Sequence, residues 1–173
     1  MIYFSNGQVT IRNMEPEDAQ AITDAEIEQG WHASVEKYQI RLEDQRTGKA
    51  IALVAEYSGR PVGYINIYPD GTGGAFGGKG YPKIVDFGVL EKYQKRGIGT
   101  ALMDVAEEIA ATYADIVYLG VGIHSGYGSA QRMYVKRGYI PDGSGVWYQD
   151  KICGQYDACM NDDDLVLYLS KKL

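Results

Sequence analysis

The spacing of apolar positions changes several times along the chain, and each change marks the boundary of a predicted element. Residues 8 to 13 alternate apolar and polar side chains, which is typical of a half-buried strand. Two helices follow: the first begins near Pro16 and ends at Gly30, and the second covers 34 to 46. The next segment, AIALVAEYSGRPVGYINIYPD, predicts two strands joined at its Ser-Gly-Arg-Pro turn.

The remainder of the chain alternates strands with helices. A glycine-rich loop at 70 to 82 precedes the strand KIVDFGVLE. A helix over 97 to 113 is predicted from one apolar face: Ile98, Leu102, Val105, Ile109 and Tyr113. DIVYLGVGI predicts a buried strand, GSAQRMYVKRG a short helix ending at Gly138, and GVWYQDKI and DLVLYLSKKL two final strands. This order predicts an α/β (α+β) fold in a single domain, residues 1 to 173, with about seven strands and about four helices.

The composition is that of an ordinary globular protein, and it disfavours several classes of ligand and location. A net charge of −6 disfavours nucleic acid, which requires a basic face, and mildly favours a cationic ligand. No stretch approaches the ~18 continuous apolar residues of a membrane span, and no signal peptide is visible, so we expect a cytoplasmic protein without membrane contact. Cys153 and Cys159 form no metal motif, so two free thiols and no metal are expected.

Two glycine-containing stretches each match part of a phosphate-binding pattern. GGAFGGKG at 73 to 80 has the glycine and lysine spacing of a P-loop, but glycine follows Lys79 and a strand comes next instead of a helix. QKRGIG at 94 to 99 lies between a strand and a helix, so its amides and the charges of Lys95 and Arg96 can hold a pyrophosphate. We therefore predict the phosphate site at the second stretch and a mobile loop, able to close over a substrate, at the first. A tight turn without a ligand is the alternative for the second stretch.

The second stretch and a segment beyond it resemble two signatures of the GNAT superfamily of N-acetyltransferases. The pattern QxxGxG at 94 to 99, after an apolar strand, is similar to the family's R/Q-x-x-G-x-G/A motif. YGSAQRMYVKRGY is similar to the family's N-x-x-A-x-x-L-Y-E-x-x-G-F signature, with three identical positions: Ala130, Tyr134 and Gly138. Tyr127 departs from it, because it stands where the family has an Asn that contacts the pantetheine arm; the tyrosine could pack against the cofactor instead.

This resemblance implies a central mixed, mostly antiparallel sheet with helices on both faces and a splay between strands 4 and 5. It also implies acetyl-CoA as co-substrate, with its pyrophosphate on the glycine turn and its pantetheine along the splayed strand. The residues expected to bind the cofactor are Phe87, Gly88, Val89, Gln94, Lys95, Arg96, Gly97, Ile98, Gly99, Thr100, Tyr127 and Ala130. Gly88 suits a close approach of ligand to backbone, and a bulge is its alternative explanation.

The implied reaction is acetyl transfer to a primary amine by direct attack in a ternary complex. Tyr134 is the expected general acid for the departing thiolate, and packing against its own helix is the alternative. The general base stays open among Asp86, His124 and His32, and a water chain could replace all three. Asp86 also has a structural interpretation, because a carboxylate in a strand buried on both faces needs a partner.

Two other functions fit the sequence: a non-catalytic acyl-CoA-binding or sensing domain on the same fold, and a nucleotide binder that uses the first glycine stretch. The acceptor is expected to be a small-molecule or peptide amine. Members of the family are often dimers, so a homodimer is one expectation. The aspartates at 162 to 164, with Asp157, either stay solvated or attract a cationic acceptor.

Overall fold

The protein is described here by a computed structural model that covers all 173 residues. The chain forms two compact units: unit 1 comprises Met1–Tyr68 and Val85–Ile109, and unit 2 comprises Pro69–Ile84 and Ala110–Leu173. Nine strands and four α-helices are present. The predicted α/β class with a mostly antiparallel sheet is confirmed, with two more strands than expected.

Unit 1 contains an antiparallel sheet, two complete helices and most of a third. Its strands are β1 (Ile2–Ser5), β2 (Val9–Asn13), β3 (Ile51–Tyr57) and β4 (Arg60–Tyr68), each paired antiparallel with the next. Its helices are α1 (Pro16–Glu28) and α2 (Val35–Arg46). The last residues of β5 (Lys83–Val89) lie beside β4, and most of α3 (Ile98–Ala111) also belongs to this unit.

The first helix begins and ends where its sequence predicts. Pro16 occupies the first helical position, and Glu15 and Asp18 form a capping box in which the Glu15 amide donates to Asp18 Oδ2 over 2.7 Å. Gly30 follows the helix with φ of 87°, a left-handed conformation that favours glycine. One apolar cluster packs these helices on the sheet: Met14, Ala19, Ile22, Tyr38, Ala52, Val54 and Tyr64.

Unit 2 contains β6 (Ile116–Gly122), α4 (Gly128–Lys136), β7 (Ile140–Tyr148), β8 (Lys151–Ile152) and β9 (Leu165–Lys172). The strand order is β5-β6-β9-β7-β8. β5 pairs parallel with β6 at two of its seven residues, Lys83 and Ile84, and all other pairs are antiparallel. None of the four helices is long and apolar enough to cross a lipid bilayer.

Three sequence expectations need correction. GVWYQDKI is a hairpin, because Gln149 and Asp150 take positive φ values of 49° and 61° and turn the chain from β7 into β8. The additional strand β1 pairs with the edge of β2. Helix α3 ends at Ala111, so Tyr113 lies beyond the buried face and is 54% exposed.

The glycine-rich segment after β4 is packed, whereas the sequence predicted a mobile loop. A 3-10 turn at Gly74–Phe76 brings Phe76 against Tyr118, with ring centroids 5.2 Å apart. Tyr168 completes this buried aromatic cluster. The cluster anchors the loop on the sheet of unit 2, because an aromatic side chain buries a large apolar area.

Candidate active site

The loop at 94 to 99 has backbone donors without protein acceptors. The amides of residues 95 to 99 make no hydrogen bond within the protein, in part because the first amides of a helix have no partner inside it. Lys95 and Gly97 have φ values of 59° and 80°. Left-handed residues in such a loop turn successive amides toward one concavity, which binds anions. The N-terminal end of α3 adds about half a positive charge there.

The side chains of this loop hold its shape and leave the concavity open. A Cβ atom added at Gly97 would have no protein atom within 4 Å, so a ligand has room there. Gly99 has the opposite environment, since its added Cβ would lie 3.2 Å from Phe87 Cζ and α3 packs closely on β5. Gln94 Nε2 donates to the Val89 carbonyl over 3.0 Å, which ties the loop to the end of β5. Ile98 is buried and anchors the start of α3.

Two residues of this loop, Lys95 and Arg96, carry exposed basic side chains. The Arg96 guanidinium lies 5.3 Å from the ring centre of Tyr57 and donates to its hydroxyl over 3.2 Å. The same guanidinium lies 5.9 Å from the ring centre of Tyr93. Lys95 is exposed. These contacts restrict Arg96 to one side of the loop, where its charge adds to that of the amides.

Strand β5 carries the residues that were expected to meet the reacting part of the cofactor. It is only partly buried, which corrects the expectation of burial on both faces. Asp86 takes a left-handed φ of 50°, and its carboxylate is ion-paired with Arg41 at 2.7 Å. Asn66 Nδ2 donates to the carbonyl of Val85 over 3.3 Å. These contacts bring Asp86 together with a cation, as its structural interpretation requires.

Gly88 is closely approached by a protein side chain. A Cβ added at Gly88 would lie 2.7 Å from the hydroxyl oxygen of Tyr64, so only glycine accommodates that phenol. The carbonyl of Gly88 would lie 2.9 Å from a Cβ at Gly63 on β4. The left-handed residue of β5 is Asp86, so the local irregularity lies two residues before the predicted position.

The structure contains a buried carboxylate that the sequence analysis missed. Glu26 on α1 is 3% exposed and accepts hydrogen bonds from the hydroxyls of Tyr38, over 2.6 Å, and Tyr64, over 2.7 Å. Glu26 follows Ala19 and Ile22 by seven and four positions, which places it on the apolar face of the helix. That periodicity was the signal that could have identified it.

Unit 2 contains Tyr134, the expected general acid. Tyr134 lies on α4, is 6% exposed and packs against Tyr139 with ring centroids 5.7 Å apart. Burial, and next the neighbouring Tyr127 phenol, raise the pKa of Tyr134 well above its ordinary value. The phenol therefore holds its proton at neutral pH. Ala130 lies one helical turn earlier and is half-buried.

His124 and Tyr127 are joined to the last acidic loop. The amide of Gly126 donates to His124 Nδ1 over 3.1 Å, so the neutral ring carries its proton on Nε2 and donates it to Asp163 Oδ1 over 3.0 Å. The Tyr127 hydroxyl donates to the same oxygen over 2.9 Å. Asp163 thus contacts side chains that are distant in the sequence. Asp162 instead accepts a local hydrogen bond, from the amide of Asp164 two residues later. His32, the third candidate base, is exposed in unit 1.

Several amides in and next to the first glycine stretch have acceptors within the protein. The amides of Gly71, Gly77 and Gly78 donate to the carbonyls of Tyr81, Gly74 and Gly71. The Gly74 amide donates to Asp150 Oδ1 over 2.7 Å, and Lys79 Nζ lies 5.0 Å from the ring centre of Phe76. Four amides of the stretch, those of Gly74, Gly77, Gly78 and Lys79, thus have acceptors within the protein, and a strand follows the loop instead of a helix. The arrangement therefore lacks the features with which a P-loop holds phosphate.

Comparison with known proteins identifies the family. The chain matches the acetyltransferase (GNAT) family over residues 16–139, which is most of its length, so the protein belongs to this family. The resemblance found in the sequence and the prediction of an acetyltransferase are confirmed. A search of curated protein sequences finds no match.

Solved structures share the fold at low sequence identity. Ard1 from Thermoplasma volcanium is 18% identical with a TM-score of 0.68, and the alignment covers 96% of this chain and 98% of that one. YncA from Salmonella typhimurium, solved with acetyl-CoA, is 15% identical with a TM-score of 0.67 and coverages of 96% and 94%. The Salmonella typhimurium enzyme that modifies the N-terminal serine of ribosomal protein L7/L12 is 10% identical with a TM-score of 0.73 and coverages of 100% and 99%.

Proposed function

We propose that this protein transfers an acetyl group from acetyl-CoA to a primary amine by direct attack in a ternary complex. The observation that carries the proposal is the run of unpartnered amides at 95 to 99, where the helix α3 begins. A buried or partly buried donor without an acceptor is costly unless a ligand or water binds it. A pyrophosphate supplies the acceptors, and the charges of Lys95 and Arg96 complement it.

The residues of the loop and of β5 fit the group that the family uses. Acetyl-CoA supplies the acetyl group as a thioester. The amides from Lys95 to Gly99, with Thr100 in the first turn of α3, bind its pyrophosphate, and the open space at Gly97 admits it. The backbone of Phe87, Gly88 and Val89 binds the pantetheine arm. An amide of this strand that faces the carbonyl oxygen stabilises its developing charge by about 3 kcal/mol. Tyr127 and Ala130 are proposed as further contacts of the cofactor.

Tyr134 is proposed as the general acid. Its buried phenol keeps its proton at neutral pH, as a group that protonates a leaving thiolate must. The general base has three sequence candidates, and their environments differ. Asp86 is paired with Arg41, both ring nitrogens of His124 have partners, and His32 is exposed. These partners argue against Asp86 and His124 as bases.

The acceptor is proposed to be a primary amine on a small molecule or peptide. One protein of the same fold acts on the N-terminal serine of a ribosomal protein, which supports a peptide amine as one class to screen. The acidic loop that holds Asp163 is compatible with a cationic acceptor, but its hydrogen bonds to His124 and Tyr127 also explain its position. Acetylated products identified by mass spectrometry from a panel of amines and N-terminal peptides would define the class.

The proposal is tested by removal of one hydroxyl. Tyr134→Phe should lower kcat by roughly 10² to 10⁴, the usual contribution of a general acid, and leave coenzyme A affinity nearly unchanged. Tyr139→Phe is the matched control, because Tyr139 is a buried tyrosine in ring contact with Tyr134. Thiol release from acetyl-CoA measures transfer, and calorimetry measures binding. If both variants retain full kcat with chemistry rate-limiting, Tyr134 is a packing residue. If the protein bound coenzyme A but released no thiol from acetyl-CoA with any amine of the panel, it would be a sensing domain.

A further inference from the structure

A chain of three polar groups links α2, β4 and α1 within unit 1. Lys37 Nζ donates to the Tyr64 hydroxyl oxygen over 3.1 Å, and the Tyr64 hydroxyl donates to Glu26 Oε1 over 2.7 Å. The Tyr38 hydroxyl holds the other carboxylate oxygen over 2.6 Å. A primary ammonium, a phenol and a carboxylate are therefore already connected in the order in which a proton would pass from an amine to a base.

Lys37 Nζ lies in surroundings suited to any primary ammonium. It is 4.9 Å from the ring centre of Tyr38 and 4.7 Å from that of Tyr64. The two rings meet edge to face, with an interplanar angle of 81° and centroids 5.1 Å apart. Aromatic faces attract cations, and the attraction strengthens when the site is shielded from water, as it is beside the buried Tyr38 and Tyr64. The buried Glu26 supplies the compensating charge.

The same phenol touches the strand assigned to the thioester. The Tyr64 hydroxyl oxygen lies 2.7 Å from the position of a Cβ at Gly88, so one oxygen atom contacts both the ammonium and β5. Burial raises the pKa of Tyr64 well above its ordinary value, and Glu26 acts in the same direction. Tyr64 therefore keeps its proton at neutral pH and can pass one proton on only as it receives another.

We propose that the acceptor amine binds at the position of Lys37 Nζ, and that Tyr64 passes its proton to Glu26. Tyr64 then contacts the reacting amine, and Glu26 is a positioning and proton-accepting group that acts through Tyr64. When no acceptor is present, Lys37 is itself the amine in this site and becomes acetylated. The inference rests on the proposed acetyl transfer, because acetyl-CoA is the acetyl donor.

The atoms and charges of the step balance. One proton leaves the ammonium for Tyr64 Oη as the hydroxyl proton of Tyr64 moves to Glu26 Oε1. The freed nitrogen lone pair forms a bond to the acetyl carbon, and the bond between that carbon and sulfur breaks. The nitrogen loses a second proton as the amide forms, and the thiolate takes up one. One proton is released to solvent overall, and no redox partner is needed.

The first experiment needs no knowledge of the natural acceptor. The protein is incubated with acetyl-CoA alone, and acetylation of each lysine is followed by mass spectrometry. Lys37 should be acetylated faster than the exposed Lys136 and Lys172, which report uncatalysed background. Tyr64→Phe and Glu26→Gln should slow Lys37 acetylation by about 10²-fold, the lower end of a general base contribution. Acetylation of Lys37 at the background rate, in protein that binds coenzyme A, would overturn the proposal.

The pH profile separates a proton acceptor from a structural support. In the wild type the rate should change little between pH 7 and 9, because the proton of the ammonium passes through Tyr64 to Glu26 within the site. In Glu26→Gln only amine that has already lost its proton can react, so the rate should rise about tenfold per pH unit. The titratable groups in contact with Glu26 are Tyr38 from α2 and Tyr64 from β4. Lys37 from α2 contacts Tyr64, and the charge of Asp86 on β5 also acts on Tyr64.

Glu28→Gln is the matched control for this profile. It makes the same change of carboxylate to amide on α1, two residues after Glu26, at an exposed position outside the proposed site. Its Lys37 acetylation should stay within about threefold of the wild type, with the same flat pH profile, because the proposed path from the ammonium through Tyr64 to Glu26 is intact. Parallel profiles for Glu26→Gln and the wild type would overturn the role of Glu26.

A second experiment works without acetyl-CoA and so separates this inference from the proposed function. Lys37→Met vacates the site, and methylammonium is titrated while the ring signals of Tyr38 and Tyr64 are followed by NMR. Methylammonium should bind Lys37→Met about tenfold more tightly than the wild type, as expected when a shielded cation site is freed. Tetramethylammonium, which has no N–H to donate to Tyr64, should bind more weakly. Equal binding to wild type and variant would overturn the ammonium site even if acetyl transfer itself were demonstrated.

Discussion

The two glycine-rich loops of this protein have similar composition but differ in how many of their backbone amides have an acceptor within the protein. In the loop at 71 to 80, the amides of Gly71, Gly74, Gly77 and Gly78 all donate to protein acceptors. In the loop at 94 to 99, the amides from residue 95 onward have no acceptor in the protein. The first loop is followed by a strand and the second by a fourteen-residue helix. Glycine and lysine spacing alone therefore does not show which loop keeps a run of amides without protein acceptors.

The difference follows from what each loop packs against. The first loop contributes Phe76 to an aromatic cluster with Tyr118 and Tyr168, and the amides of Gly77, Gly78 and Lys79 donate to carbonyls of the loop itself. The second loop is anchored at its two ends, by Gln94 on the Val89 carbonyl and by the buried Ile98, and the Arg96 side chain between them contacts Tyr57. The residues between these anchors keep their donors for a ligand.

The largest contrast is expected from one substitution made in both loops. Gly97 and Gly78 have nearly the same φ, 80° and 75°, and an added Cβ at either meets no atom within 4 Å. Gly97→Val should weaken coenzyme A binding at least ~10²-fold, because it obstructs amide hydrogen bonds to charged phosphate worth ~1.5–3 kcal/mol each. Gly78→Val carries the same backbone strain and should leave affinity within about twofold. Calorimetric titration with coenzyme A measures both affinities. A larger loss of affinity in Gly78→Val than in Gly97→Val would reverse the assignment of the phosphate site to the second loop.

Loss of Phe76 should affect stability and spare binding. Phe76 is 9% exposed in the aromatic cluster, so Phe76→Ala should lower the free energy of unfolding by about 3 kcal/mol through lost burial and a cavity. Urea denaturation measures this change. Coenzyme A affinity of the folded variant should equal that of the wild type. A stability loss below about 1 kcal/mol would show that the loop is not held by its aromatic anchor.

The basic residue of each loop gives a smaller, salt-dependent contrast. Arg96 and Lys79 are both exposed cations over aromatic rings, at 5.3 Å and 5.0 Å from the ring centres. Arg96→Gln should weaken coenzyme A binding about three- to tenfold at low salt and less at high salt, because exposed charges are screened over about 8–10 Å. Lys79→Gln should leave coenzyme A affinity unchanged at both low and high salt. Equal effects of the two substitutions would mean that only net charge matters.

The smallest expected effect concerns the carboxylate that accepts the Gly74 amide. Asp150→Asn keeps an acceptor oxygen and removes its charge, so the free energy of unfolding should fall by about 0.5 kcal/mol, since the residue is exposed. Thermal unfolding of the wild type and of Asp150→Asn, each at two pH values, measures this difference in the free energy of unfolding. Coenzyme A affinity should not change, and a clear loss of affinity would connect the first loop with ligand binding after all.

Much of the fold was predictable because its elements are signalled locally. Pro16 with its capping residues, Gly30 and the apolar face of α3 each act within a few residues, so their boundaries are close to those observed. The errors lie where pairing depends on distant residues. β1 is a strand because it pairs with the edge of β2. β8 forms because Gln149 and Asp150 reverse the chain after β7. A local sequence pattern shows neither of these pairings.

The candidate site was predicted in part for the same reason. The QxxGxG turn and the signature around Tyr134 are contiguous motifs, and the family they indicated is confirmed. Glu26 and Lys37 belong to no motif, because they come into contact through Tyr64, which is 38 and 27 positions away from them in the chain. Asp86 was recognised as needing a partner, but Arg41 as that partner depends on the packing of α2 near β5.

The sequence by itself determined the class of fold and most helix boundaries, and it favoured the second glycine stretch as the phosphate site, since local sterics, periodicity and helix context act over a few neighbouring residues. The tertiary structure alone decided which amides are free, which carboxylates are paired and where an ammonium can lie. Those properties depend on hydrogen bonds between residues far apart in the chain: Gly74 with Asp150, Arg41 with Asp86, and Tyr64 with Glu26. A buried donor or charge is costly unless it is paired, and its partner can be far away in the chain, so only the packed structure identifies that partner.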